Sequence, residues 1–93
     1  MTVEVVLPGV LADLAGGDKH LALEPAGETL EDLLDSLAAQ HPVLGRRIRD
    51  ETGKVRRFVN VYVDGEDVRF SGGLTTTVPD GTVVQVLPSV AGG

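Results

Sequence analysis

The segment Thr29-Leu-Glu-Asp-Leu-Leu-Asp-Ser-Leu-Ala-Ala-Gln40 decides how the rest of the chain must be arranged. Thr29, followed three residues later by Asp32, is typical of a capping box, with Asp in place of the usual Glu or Gln. Pro42 disfavours continuation of the helix beyond Gln40. The pattern predicts one amphipathic helix with a single apolar stripe, made by Leu30, Leu33, Leu34, Leu37 and Ala38.

Short stretches of alternating residues on both sides of this helix predict strands. The two stretches before the helix are expected to pair antiparallel, and the stretch after Asp64-Gly65 is expected to be a short edge strand. Residues 10–14 predict one helical turn, and residues 43–54 predict a short helical turn and a loop. The predicted strands comprise residues 2–7, 19–24, 57–63, 67–70 and 82–87.

This order of elements is compatible with an α+β, ubiquitin-like (β-grasp) roll, with a mixed four- to five-stranded sheet and one main helix. One helix covers only one face of such a sheet, so the other face is expected to be open to solvent or to a partner. We expect Leu33 and Leu37 to pack on the sheet. The 93 residues are expected to form one domain over residues 1–88, followed by a flexible tail at residues 89–93.

Composition narrows the class of protein further. Hydrophobic residues make up 42% and charged residues 24% of the chain, which is typical of a globular domain. The absence of cysteine excludes disulfides, thiolate metal sites and thiol nucleophiles. Because no apolar run approaches the length of a membrane span, we expect a cytoplasmic protein with no membrane partner.

The net charge of −6 is unevenly distributed. Residues 46–57 contain six basic and two acidic residues, a local charge of +4, so the rest of the chain carries −10. An acidic body argues against nucleic acid as a partner. It suits docking on a basic protein surface, although negative charge alone also keeps a small domain soluble. The basic residues are interpreted first as a solvated loop face and second as a protein-docking patch; they are Arg46, Arg47, Arg49, Lys54, Arg56 and Arg57.

The sequence contains no pattern typical of an active site. His20 and His41 lack metal-ligand spacing and are interpreted as surface or capping residues. No phosphate-binding glycine loop or nucleophile elbow is present. The Glu66-Asp67 pair is interpreted as a solvated loop rather than a cation site. We therefore predict a protein that is not an enzyme and has no catalytic, cofactor-binding or metal-binding residues.

The chain ends in Leu87-Pro-Ser-Val-Ala-Gly-Gly93, which is unusual for a chain end. Because proline has no backbone N–H to donate to a neighbouring strand, the last strand is expected to stop at Pro88. The five residues after it can extend about 16 Å, and glycines allow the backbone to enter a narrow channel. Val90, Ala91 and Gly92 are therefore expected to thread into a partner. The alternative is an ordinary frayed terminus.

The segment Phe58-Val-Asn-Val-Tyr-Val-Asp-Gly-Glu-Asp-Val-Arg-Phe-Ser-Gly-Gly-Leu74 and the tail resemble the MoaD/ThiS family of sulfur carriers. Within that family the chain is most similar to the CysO-type carriers of bacterial cysteine biosynthesis. The resemblance extends over nearly the whole chain, with Ser89 where many members carry proline or another small residue.

The resemblance implies that the Gly93 carboxyl becomes an acyl-adenylate and then a thiocarboxylate. The implied partners are an ATP-dependent, ubiquitin-activating-type enzyme, a pyridoxal-phosphate (PLP) cysteine synthase that accepts the sulfur, and a metallopeptidase that releases cysteine. The carrier itself binds no cofactor. The alternatives are the small subunit of molybdopterin synthase, a sulfur donor for another thiolation such as that of a thiosugar, a ubiquitin-like protein modifier, and an interaction module with an inert tail.

The docking patch for these partners is predicted on the uncovered face of the sheet. With Leu7, Tyr62 and Leu87 directed outward, an apolar patch would lie beside the tail, and monomers rarely expose such patches without a partner. Acidic surroundings would steer the encounter.

Overall fold

The computed structural model describes residues 2–88. The predicted tail at residues 89–93 lies outside this range, so the division into a domain and a tail stays a prediction. The strands are β1 (Val3–Val6), β2 (His20–Leu23), β3 (Val59–Val63), β4 (Glu66–Asp67) and β5 (Val83–Pro88), and the helices are α1 (Gly9–Ala12), α2 (Leu30–Gln40) and α3 (Pro42–Ile48). Among the described residues, no helix is long and apolar enough to cross a bilayer.

The five strands form one mixed sheet in the order β2-β1-β5-β3-β4. β1 and β5 run parallel, and every other neighbouring pair is antiparallel. The chain crosses from β2 to β3 through α2 and α3. The last strand, β5, then pairs with both β1 and β3, so β5 is the central strand. This is the ubiquitin-like β-grasp fold, and the predicted mixed sheet and leading antiparallel hairpin are confirmed.

Helix α2 begins and ends as its sequence predicts. The Thr29 hydroxyl accepts a hydrogen bond from the Asp32 N–H at 3.2 Å, and the Asp32 carboxylate accepts one from the Thr29 N–H at 3.3 Å. This reciprocal capping box satisfies two of the backbone donors that a helix start leaves unpaired. The helix buries its apolar stripe in the core, including Leu33 and Leu37, which are both 0% exposed.

Helix α3 is longer than the short helical turn predicted after Pro42, and the predicted loop follows it. Pro42 lies at the first turn of this seven-residue helix, where its missing N–H removes no hydrogen bond. Leu44 and Ile48 are buried in the core. A Cβ atom at Gly45 would lie 2.6 Å from the Cβ of Ala38, so the two helices approach closely only because Gly45 has no side chain.

The predicted edge strand over residues 67–70 is wrong in all but its first residue. β4 consists of Glu66–Asp67 alone, and a 3-10 helix follows at Val68–Phe70. The Asp67 carboxylate accepts a hydrogen bond from the Arg69 N–H at 2.9 Å, which caps the 3-10 turn. Burial of Val68 then holds this turn against the core. A second 3-10 helix follows at Gly73–Thr75.

Candidate functional site

The face of the sheet opposite the helices is built from the alternate residues of its long strands. In β5, Val84 and Val86 are buried in the core, whereas Val83 and Gln85 are exposed. Because side chains alternate along a strand, Leu87 belongs to the same open face as Gln85. The open face of the central strand is therefore a candidate surface for a partner.

Strand register arranges the residues of this face in rows. Gln85 lies between Val6 of β1 and Tyr62 of β3, and Leu87 lies opposite Asn60. The pairing of β3 with β5 continues through five successive residue pairs, so no bulge interrupts the alternation. Tyr62 and Leu87 are both partly buried and lie on this open face.

The prediction that Leu7 points outward is wrong. Leu7 is only 2% exposed and belongs to the core with Val3 and Val5. The reason is geometric: the Leu7 N–H donates to the Lys19 carbonyl at 2.8 Å, so pairing with β2 continues past the end of β1 and keeps the alternation. A residue two positions after Val5 must therefore face the same side as Val5.

The end of β5 lies beside the start of β3. Pro88, the last residue of β5, lies opposite Val59, the first residue of β3. Leu87 immediately precedes Pro88, after which the predicted tail begins in the sequence. The predicted tail residues lie outside the described range; they are Val90, Ala91, Gly92 and Gly93.

Asn60 is a residue of this face that sequence reasoning did not identify. Its side-chain Oδ1 atom is buried and accepts no hydrogen bond from the described residues. Buried polar atoms are nearly always paired, so an unpaired amide oxygen opposite Leu87 is unusual. The available signal was a polar amide at the second position of the strand Val59–Val63, whose other residues are valines and a tyrosine.

Charged groups surround the open face and are mostly acidic. The Glu4 carboxylate contacts His20 Nδ1 at 2.7 Å, and the Asp64 carboxylate accepts a hydrogen bond from the Val83 N–H at 3.1 Å. Between residues 2 and 88, no three His, Asp or Glu side chains converge in a way that would hold a metal ion. The Glu4 and Asp64 carboxylates give this part of the open face an acidic border.

Comparison with known proteins identifies the family. The ThiS family profile matches residues 5–93. The chain is 44% identical to the sulfur carrier protein CysO of Mycobacterium tuberculosis over 95 residues, covering 100% of both chains. It is also 40% identical to small archaeal modifier protein 3 of Haloferax volcanii over 65 residues, covering 70% of each.

Solved structures agree with this assignment. The crystal structure of Mycobacterium tuberculosis CysO matches with a TM-score of 0.83 at 42% identity, covering 95% of this chain and 99% of that one. CysO in the crystal structure of the Amycolatopsis orientalis BexX/CysO complex matches with a TM-score of 0.80 at 42% identity, covering 98% and 99%. The fold, the full-length identity and the family profile agree, and the chain belongs to the ThiS family.

Proposed function

We propose that this protein is a sulfur carrier that transports sulfur as a thiocarboxylate on Gly93. Like its relatives, it is a carrier and not an enzyme. The observation that supports the proposal best is the position of the tail: a segment ending in two glycines follows the central strand directly at Pro88. The adjoining open face offers a partner a surface on which to hold the body while it receives the tail.

A free carboxylate is a poor electrophile, so activation must come first. One oxygen of the Gly93 carboxylate attacks the α-phosphorus of ATP, and pyrophosphate leaves. The reaction occurs in the active site of an activating enzyme, which supplies the charge stabilisation that such a step needs. The carrier's contribution is to deliver the carboxylate to a fixed point, since small errors in position reduce the rate strongly.

Sulfur transfer follows on the same carbon. Sulfide attacks the carbonyl carbon of the acyl-adenylate, and AMP leaves with the C–O bond electrons. If an enzyme persulfide attacks instead, the acyl disulfide that forms is cleaved by a thiol of the partner enzyme, which ends in a disulfide and releases the thiocarboxylate. The product is a thiocarboxylate, an anionic nucleophile. Because the chain has no cysteine, it offers no internal thiol that would capture the activated carbonyl as a thioester.

We propose a PLP-dependent cysteine synthase as the acceptor of this sulfur. The thiocarboxylate sulfur would add to an aminoacrylate held by that enzyme, and a metallopeptidase would then release cysteine and restore Gly93. ATP and PLP thus act in the partner enzymes, and we expect these reactions in the cytoplasm. The similarity to CysO, one form of which was crystallised in a complex with BexX, supports a carrier that docks on larger proteins.

We assign the docking of these partners to the open face near the tail. Leu87 and Tyr62 would supply apolar contacts there. Gln85, which lies opposite Tyr62 and two residues before Leu87, would supply a polar contact. A few apolar side chains near the centre of an interface usually carry most of the binding energy. The acidic groups around the face would steer a basic partner surface towards it.

The length of the tail tests the proposed function. A variant with one alanine added after Gly93, and a second variant that lacks Gly93, are incubated with ATP, sulfide and a cognate activating enzyme. Intact-mass analysis of the wild-type chain should show exchange of one oxygen for sulfur, and both variants should lose it because their terminal carbonyl is misplaced. Unfolding curves serve as the control and should be unchanged. Sulfur gain at an undiminished rate by the extended variant, without trimming, would contradict the proposal.

A second candidate function is protein modification. The similarity to small archaeal modifier protein 3 favours it, because attack of a substrate lysine on the same acyl-adenylate would give an isopeptide bond and AMP. The two functions separate in one experiment: the activated carrier is incubated with a cell extract, and adducts are digested and sequenced. Lysine residues carrying the C-terminal glycines of this chain would support modification.

A further inference from the structure

A second surface lies on the other side of the sheet from the open face. It is an open cavity of about 310 Å³ against the helix-covered side of β3. This volume is at the lower end of the range that ligand-binding pockets occupy. Its floor is made of aliphatic side chains from β3, the two 3-10 helices and the loop before β3; these are Val55, Val59, Val61, Val68 and Leu74.

The border of this cavity is positively charged, although the chain as a whole carries −6. Arg69 contacts the Asp67 carboxylate at 3.6 Å, and the Arg56 Nε donates to the Arg46 carbonyl at 2.8 Å. The side chains of Lys54 and Arg57 donate to no other described residue, and both residues are exposed. Two cations are therefore available at the border of an apolar floor.

The loop that carries these cations is held in place by its own hydrogen bonds. The Asp50 N–H donates to the Lys54 carbonyl at 2.9 Å, and the Arg56 N–H donates to the Ile48 carbonyl at 2.9 Å. The Asp50 carboxylate accepts hydrogen bonds from the Thr52 hydroxyl and N–H and from the Lys54 N–H, and together they lower its pKa. These hydrogen bonds link Asp50 to Lys54 and Ile48 to Arg56, and Lys54 and Arg56 both line the cavity.

The cavity also adjoins the origin of the tail. Val59 lines its floor and lies opposite Pro88, the last residue of β5. A protein bound over the tail at this end of the sheet would therefore come within reach of the cavity. No part of the sulfur chemistry uses this surface.

We propose that this cavity binds an acidic segment of a partner protein. One apolar side chain of that segment would occupy the floor, and carboxylates on either side of it would contact Lys54 and Arg57. The combination of an aliphatic floor and a cationic border is complementary to such a segment. Nucleic acid fits less well, because the residues that line the cavity include no aromatic side chain for base stacking and the rest of the chain is acidic.

Nitrogen-15 NMR of the full chain tests this proposal. The probe is an end-blocked peptide with one phenylalanine between two runs of glutamate, titrated at low salt. We expect amide shifts confined to residues 54–61 and 67–74, and weaker binding as salt is added. Replacing the phenylalanine of the peptide by alanine, or its glutamates by lysines, should weaken or abolish binding.

Two charge reversals make a matched pair. Arg57→Glu changes a cation at the cavity border, whereas Arg47→Glu makes the same change in net charge on the exposed surface of α3, outside the cavity. Arg57→Glu should raise the Kd for the peptide by roughly 3- to 10-fold, and Arg47→Glu should leave it nearly unchanged. Arg57→Gln should give an intermediate Kd and preserves the test if the reversal perturbs the fold.

Several outcomes would overturn the proposal. These are equal losses in the two charge-reversal variants, peptide shifts on the open face rather than around the cavity, or no shifts at millimolar peptide. Tighter binding of single-stranded oligothymidylate than of the peptide, with the same sensitivity to Arg57→Glu, would identify a nucleic-acid site instead.

Discussion

The two faces of the central sheet differ although they are built from the same strands. On the covered face, Val3, Val5, Val84 and Val86 are all 0% exposed and belong to the hydrophobic core. On the open face, Val83 is 38% exposed and Gln85, in the central strand, is also exposed. The covered face therefore carries the stability of the domain. This leaves the residues of the open face available for contact with partners.

The largest expected effect is truncation of the covered face at Leu33. Leu33→Ala removes a side chain that is 0% exposed, and it should lower the free energy of unfolding by about 2–5 kcal/mol. That loss is a large fraction of the stability of a domain of this size. Chemical denaturation measures the effect. Gln85→Ala on the open face is the control and should change stability by about 0.5 kcal/mol or less.

An intermediate effect is expected where α2 and α3 cross. Gly45→Ala introduces a Cβ atom 2.6 Å from that of Ala38, so the helices must separate. We expect a loss of about 1–3 kcal/mol in the free energy of unfolding. Gly9→Ala is the matched control, since a Cβ there would meet only the end of the Lys19 side chain, at 3.9 Å. Equal stability of the two variants would show that the helix contact is looser than described.

The smallest effect on stability is expected at the open face beside the tail. Leu87→Asp should lower the free energy of unfolding by about 1 kcal/mol or less, because Leu87 is only partly buried. The same variant should bind the activating enzyme at least about tenfold more weakly, since it introduces a charge into the proposed apolar contact. Affinity and unfolding are measured on one preparation. Lost stability with unchanged affinity would remove Leu87 from the docking surface.

Local patterns predicted the elements whose signals lie within a few residues. The Thr29 and Asp32 capping box, the apolar stripe of α2 and the alternation of β3 each depend on neighbours along the chain, and each is confirmed. After Pro42 the predicted short helical turn is a seven-residue helix, because Leu44 and Ile48 are buried in a core that the sequence does not display. The prediction failed after Asp67, where capping and the burial of Val68 formed a 3-10 turn.

The residues of the candidate site also fall into those that local patterns predict and those that depend on tertiary contacts. Leu87 and Tyr62 lie on the open face because alternation continues unbroken through the pairing of β3 with β5. The assignment of Leu7 to that face was wrong because it ignored the same alternation in β1. The sequence showed the basic cluster that includes Lys54, Arg56 and Arg57, but the aliphatic cavity that they border with Arg69, and the unpaired Oδ1 atom of Asn60, depend on contacts between distant segments.

The sequence by itself determined α2, the order of the strands along the chain and the absence of a thiol, because periodicity, capping and residue type are local properties. Only the tertiary structure decided that β5 lies at the centre of the sheet, that Gly45 admits α3 against α2, and that cations border an aliphatic cavity beside Val59. These features arise from packing between segments far apart in the chain, where burial and steric fit outweigh local preference.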